Sequence, residues 1–306
     1  MPLKEHAFSH FLGKFIMKNR IKSELLNLGL KFISIDEKLI KIFLETNPSN
    51  VNEIVIVPTV KSIMKKLINK LANLSKKGRV YNGLLNNVRV SIIRCYLGCP
   101  NMAILLECLR RTKAKKIIRI DICGGITGLT NKVDIGDIII PNLAYCGDGT
   151  STQYILTYPD LANQLESIEN PMGQFQNIIA GSQKIFITKP DEQLNNILSN
   201  HKYSELKALT KKVDLWSTDA LFCETYEFLN ALKSKNIETL DMESSILFLL
   251  GKKYNIQTSS ILSVSDLPGT NYDFLNSNEI HPNMEIGIDR VIKILINSLP
   301  KIKQNI

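Results

Sequence analysis

Past residue 50 the apolar positions of the chain fall into two alternating rhythms. Short runs rich in β-branched residues occur at Glu53–Val57 (EIVIV), Val88–Ile93, Lys116–Cys123, Asp137–Ile140, Asn177–Ala180, Lys212–Trp216, Glu238–Met242 and Thr258–Val264. Each predicts a strand. Helix-period segments lie at Lys61–Leu74, Asn101–Thr112, Thr225–Lys235, Glu243–Tyr254 and Asn283–Leu299. In the last of these, Ile286, Ile288, Val291, Ile292, Leu295 and Ile296 are spaced for one apolar face. Near-continuous apolar strands alternating with helices predict an α/β fold, a three-layer α/β/α sandwich whose sheet is covered on both faces. The pattern sets residues 51–306 apart as one α/β domain. Residues 1–50 form an N-terminal helical extension, with a short amphipathic helix around Phe8, Phe11, Leu12, Phe15 and Ile16 and a second between Leu25 and Leu44. Packing on the main domain is the expectation for it, and a membrane-surface helix is the alternative.

Composition narrows the class. Apolar residues make up 44% of the 306 positions, close to ordinary globular usage, and no apolar run reaches the ~20 residues that span a bilayer. The N-terminal segment lacks a continuous signal-peptide core, so a cytoplasmic protein is expected. The formal charge is +9, but the lysines are scattered pairs without interleaved aromatics, which describes solvated faces and not a nucleic-acid surface. Neither nucleic acid nor membrane is expected as a partner. The six cysteines (95, 99, 108, 123, 146, 223) and four histidines show no metal-ligand spacing. Reduced thiols and no metal are expected.

Ligands of such sheets gather beyond the carboxyl ends of the strands, and three strand ends carry candidate chemistry. In Lys116–Thr130 (KIIRIDICGGITGLT) a strand runs into Cys123-Gly124-Gly125, where backbone can approach a ligand closely. Arg119 sits within that strand on the same face as Asp121, so it awaits either an anionic ligand or an internal salt bridge. In Glu238–Gly251, Glu243 opens an apolar helix. A helix-dipole cap accounts for one acid there, but Asp241 beside it exceeds what a cap needs. In Ser260–Gly269 a strand ends at Ser265-Asp266 before Leu-Pro-Gly, a place for turn chemistry or for an acid in a pocket.

Taken in order, these segments resemble the nucleoside phosphorylase family, which includes purine nucleoside and uridine phosphorylases and related nucleosidases. The resemblance covers roughly residues 53–298 and rests on Gly98-Cys99-Pro100, IIRIDICGG at 117–125, VDIGDIIIP at 133–141, Asp148-Gly149-Thr150-Ser151 with Tyr158-Pro159, Ser217-Thr218-Asp219 with Phe222, Asp241-Met242-Glu243-Ser244, and Ser265-Asp266. It implies a central mixed sheet, cleavage of an N-glycosidic bond of a purine-leaning nucleoside by inorganic phosphate as co-substrate, no further cofactor, and a homo-oligomer (dimer or hexamer). By resemblance, Arg119 binds phosphate, Met242 and Glu243 hold the ribose, Cys123, Gly124 and Phe222 line the base pocket, and Asp266 protonates the departing base. Protonation of Asp266 requires an apolar setting.

The chain departs from the family pattern at the anion site. Where the family's first strand ends in Gly-Asp-Pro-x-Arg, this chain has Val57-Pro58-Thr59-Val60-Lys61-Ser62-Ile63, so a rebuilt anion site would draw on Arg119, on Lys61 without the two-pronged Arg geometry, and on a basic residue from a neighbouring subunit. Ile122 stands where the family carries a phosphate-contacting Ser or Thr. Three readings are therefore open: phosphorolysis at a rebuilt site, hydrolysis by water as in the nucleosidases, and nucleoside binding without catalysis.

Overall fold

The computed structural model describes residues 34–129, 133–173 and 183–304. The helix around Phe8–Ile16 and the strand expected at Asn177–Ala180 lie outside them. The described chain opens on α1 (Ile35–Leu44), where the Ser34 hydroxyl accepts the Glu37 amide at 3.2 Å and Asp36 and Glu37 complement the dipole. Then follow β1 (Ile54–Val57), α2 (Lys61–Ile68), β2 (Ala72–Lys77), β3 (Val80–Leu85), β4 (Val88–Ile93), α3 (Cys99–Leu109), β5 (Lys116–Gly125), β6 (Ile138–Cys146) and α4 (Gly149–Thr157). The second half contains β7 (Ser167–Glu169), β8 (Lys184–Thr188), α5 (Glu192–Ser199), β9 (Thr210–Ser217), α6 (Tyr226–Lys233), β10 (Thr239–Asp241), α7 (Ser244–Tyr254), β11 (Gln257–Asp266) and α8 (Pro282–Gln304).

The strands form one mixed sheet ordered β2-β3-β4-β1-β5-β10-β9-β6-β8-β7, with β11 paired to both β5 and β6. Five of its strands close on themselves: β5 with β11 in parallel, β11 with β6 antiparallel, β6 with β9 and β9 with β10 in parallel, and β10 back onto β5 antiparallel. One face carries α1, α3, α4 and α7 through residues such as Leu44, Leu106, Ile155 and Leu247. The other carries α2, α5 and α8 through Ile63, Leu198 and Leu295. The expected three layers are present.

The segment Lys61–Leu74 is not one helix. α2 stops at Ile68, and the chain turns into the β2–β3–β4 meander, whose turns have two residues each. Asn86 and Asn87 both take positive φ (47° and 58°), the conformation of a type I′ hairpin turn.

Alternation along β5 sends Ile118 and Ile120 into the α8 side of the core and Ile117 and Cys123 into the α7 side. Arg119 and Asp121 therefore point toward the N-terminus of α7. At the end of β11 the register shifts between Val264 and Asp266, so Ser265 is the extra residue of a bulge opposite Cys123 and Gly124. A bulge re-aims the side chains that follow it, and here Asp266 is turned toward the same space.

Candidate active site

The ends of β5, β10 and β11 enclose a cavity of about 230 Å³. Arg119, Glu243 and Asp266 all line it, as do Cys123, Gly124 and Met242. Three strand ends, one of them more than a hundred residues before the other two, thus converge on one pocket.

Arg119 is 2% exposed and is held by acids on several sides. Its Nη1 donates to Asp241 Oδ2 at 2.6 Å and to Ser244 Oγ at 3.2 Å, and its Nη2 donates to Glu243 Oε2 at 2.5 Å. Asp121 Oδ2 lies 3.6 Å from the same Nη2. Burial opposes the guanidinium charge, but Glu243, Asp241 and Asp121 outweigh it and hold its pKa above the ordinary value. The salt bridge that the sequence leaves open for Arg119 is real and has three carboxylates.

Asp241 organises the cluster. Its Oδ1 accepts the Ser217 hydroxyl at 2.5 Å, and its Oδ2 accepts the Ser244 amide at 3.0 Å, so it caps α7 while gripping Arg119. Glu243 is freed from capping: its Oε1 accepts the amide of Gly98 at 2.7 Å, and its Oε2 takes Arg119. Gly98 sits at φ 98°, a backbone conformation that favours glycine, and this aims its N–H at the carboxylate. Burial raises the Glu243 pKa; Arg119 opposes the shift, and Asp241 and Asp121 add to it. Asp121, 1% exposed, accepts the Thr59 amide at 2.8 Å; burial raises its pKa too, against the pull of Arg119 and that amide.

The opposite end of the cavity is less polar. Leu221, Leu240 and Phe274 line it together with two further carboxyls, Asp266 and Glu224. The Ser265 hydroxyl lies 2.5 Å from Asp266 Oδ1, and the Phe274 amide donates to Oδ2 at 3.3 Å. Burial raises the Asp266 pKa in spite of these two bonds, and Asp273 adds to the rise. Glu224 is pushed up to about 8 by burial, with Asp266 and Asp273 adding to it. This favours its neutral form at pH 7.

Two expected residues are not in the pocket. Lys61 is exposed at the first position of α2, because that helix turns Ile63 and Leu67 to the core; Thr59 and Val60 reach the cavity instead. Phe222 is 84% exposed: the 3₁₀ turn Leu221–Cys223 directs Leu221 inward and its neighbour out. Arg119 is consequently the one Lys or Arg lining the cavity among the described residues. Glu224 and Phe274 belong to no motif, and only the turn geometry and the return of the chain after β11 bring them in. Five cysteines are buried free thiols, as expected, and Cys223 is exposed. No described helix is long and apolar enough to cross a membrane.

Comparison with known proteins bears on the family and the fold. The family model described as "Phosphorylase superfamily" matches residues 54–300. The DeoD-type purine nucleoside phosphorylase of Buchnera aphidicola (subsp. Acyrthosiphon pisum) is 24% identical over 220 residues, 72% of this chain and 79% of its own. The purine nucleoside phosphorylase of Toxoplasma gondii superposes with a TM-score of 0.65 at 18% identity, over 86% of this chain and 96% of its own. The AMP nucleosidase of Bacteroides thetaiotaomicron does so with a TM-score of 0.62 at 16% identity, over 89% of this chain and 97% of its own. The chain belongs to the phosphorylase superfamily.

Proposed function

We propose that this protein cleaves the N-glycosidic bond of a purine nucleoside and that water is the nucleophile. The observation that carries this reading is the charge balance around Arg119, where one guanidinium is shared by Asp121, Asp241 and Glu243 and no second Lys or Arg among the described residues lines the cavity. A phosphate dianion entering beside Arg119 meets these carboxylates as well. At about 4 Å and an effective dielectric constant of about 20, each pair of unit charges is worth about 4 kcal/mol. Each of these carboxylates that is ionised repels the dianion and offsets the single attraction, while burial raises the pKa of Glu243 and Asp121 toward the neutral form.

The same balance suits a cationic transition state. As the bond to the base lengthens, positive charge develops on the sugar and negative charge on the base. A cluster with excess carboxylate stabilises the first, and a protonated Asp266 neutralises the second by donating to a ring nitrogen. Glu243 has an unused lone pair on each oxygen with which to accept the ribose hydroxyls, and Met242 beside it lines the sugar end. Asp266 and Glu224 at the far end, both with pKa values that burial raises toward the neutral form, suit the acceptor atoms on a purine edge, while Leu221, Leu240 and Phe274 pack its faces.

Phosphorolysis is the second reading, and family membership is what favours it. Incubating the protein with inosine, guanosine and adenosine, with and without phosphate, separates the two. Hydrolysis gives free ribose at a rate indifferent to phosphate; ribose 1-phosphate made in proportion to phosphate would establish phosphorolysis instead.

A further inference from the structure

The hydrolytic reading needs a group that takes the proton of the attacking water, and neither Asp266 nor Glu243 is placed to do so. Asp266 faces the base end, where burial raises its pKa, and Glu243, with one oxygen on Gly98 and the other on Arg119, turns its remaining lone pairs to the ribose hydroxyls. Asp121 is the third carboxylate to consider. An acid within a central strand is costly to bury, yet Asp121 is buried at the wall of the cavity and faces Arg119. Its Oδ2 accepts the Thr59 amide at 2.8 Å, and its Oδ1 accepts the amide of its own neighbour Ile122 at 3.2 Å, which leaves a further lone pair on Oδ1 for a water. A backbone amide and a guanidinium converging at a cavity wall form an anion-binding array. Here the chain fills that array with its own carboxylate.

We propose that Asp121 is the catalytic base of the hydrolysis, with Oδ1 taking a proton from a water lodged between its carboxylate and the sugar. The step balances as follows. The water oxygen forms a bond to C1′ of the ribose and gives one proton to Asp121, the bond from C1′ to the base nitrogen breaks with its electron pair going to the base, and Asp266 gives its proton to the base. After the products leave, Asp121 releases its proton to solvent and Asp266 regains one, so that nucleoside and water become ribose and free base. Burial raises the Asp121 pKa from its ordinary value, which makes the carboxylate a stronger base. Thr59 and Arg119 are its positioning partners.

This inference rests on the hydrolytic reading above, and one set of variants tests them separately, with inosine as substrate. Asp121→Asn keeps the shape of the side chain and is expected to lower kcat by about 10²–10⁴ with KM little changed. In Asp121→Ala, formate or azide entering the vacated array is expected to restore part of the rate. Inorganic phosphate is expected to enter there as well and to yield ribose 1-phosphate, which the wild type does not form. A wild-type enzyme that hydrolyses inosine while Asp121→Asn keeps full kcat overturns the base assignment alone; so does a folded Asp121→Ala that neither formate nor azide rescues. A wild type that cleaves no nucleoside, or cleaves only with phosphate, overturns the hydrolytic reading and the base with it. Should neither variant fold, ³¹P NMR of the wild type decides: no phosphate binding at millimolar concentration sustains the filled array, and saturable binding overturns it.

Discussion

Glu224 offers a test of the cavity's electrostatics that needs no substrate. Its pKa is pushed from an ordinary 4.5 up to about 8, chiefly by burial, with the carboxylates of Asp266 and Asp273 adding to it. The native state therefore keeps a proton that the unfolded chain releases at lower pH. Because the folded value is the higher one, stability is greatest below the unfolded value and falls as the pH rises toward about 8. A shift of this size is worth at most about 5 kcal/mol. Glu224 is only partly buried, and solvent screening brings the expected contribution down to about 2 kcal/mol. Replacing Glu224 with Gln keeps the shape and the hydrogen-bonding capacity and removes the titration. The variant and the wild type should have similar Tm at about pH 5, and the variant should melt about 4 °C higher at about pH 9. Calorimetry across that range reads the difference. A Tm gap that does not change with pH, or one in which the wild type gains on the variant as pH rises, would refute the reasoning.

Other expectations address the site and its frame. Glu243→Ala should abolish nucleoside cleavage, a loss of at least about 10³ in kcat/KM, because it removes both the ribose acceptor and a partner of Arg119; steady-state kinetics with inosine checks this. Asp266→Asn should slow inosine cleavage by about 10²–10⁴ but leave p-nitrophenyl riboside, whose leaving group needs no proton, nearly as good a substrate as before. An equal loss on both substrates would remove Asp266 as the acid. Phe274→Ala should raise KM for the nucleoside several-fold, whereas Phe222→Ala and Lys61→Ala should leave both kinetic constants unchanged, since those two side chains are exposed away from the cavity. Gly147→Ala should cost about 3 kcal/mol or more in chemical denaturation, because its Cβ would lie 2.0 Å from Trp216 Nε1 in the core beneath the site.

How much of this was legible in the sequence depended on what each residue packs against. β4 spans Val88–Ile93, as its apolar run predicts, because a strand that is mostly buried needs such residues almost throughout. β2 is exposed at all six positions, so Ala72–Lys77 carries no alternation, and the helical period of the adjoining segment extends into it as far as Leu74. Gly78 and the Asn86-Asn87 pair were the available signs of the meander. At the site, Arg119, Glu243 and Asp266 were recognisable because each is a charged residue within or at the end of an otherwise apolar, buried element. Lys61 and Phe222 sit one or two residues from positions that do reach the cavity, and helix phase or a single 3₁₀ turn decides which neighbour points in. The acids that surround Arg119 come from β5, β10 and the start of α7, and strand alternation alone could pair it only with Asp121.

That balance of charges has an energetic consequence. Removing one partner of a buried ion pair typically costs 3–5 kcal/mol, because the charge left behind is uncompensated. Asp241 holds Arg119, Ser217 and the first turn of α7 at once. The cluster is therefore part of the fold as well as the floor of the pocket.

The central claim is that one nucleoside lies between the Arg119 cluster and the Asp266–Glu224 pair. A crystal structure of the protein soaked with a slowly cleaved purine nucleoside tests it most directly. The account predicts the ribose hydroxyls within hydrogen-bonding distance of Glu243, the base edge against Asp266, and a water in contact with Asp121 on the opposite side of the sugar. A nucleoside bound elsewhere, or one in this cavity with its ribose turned away from Glu243, would contradict it.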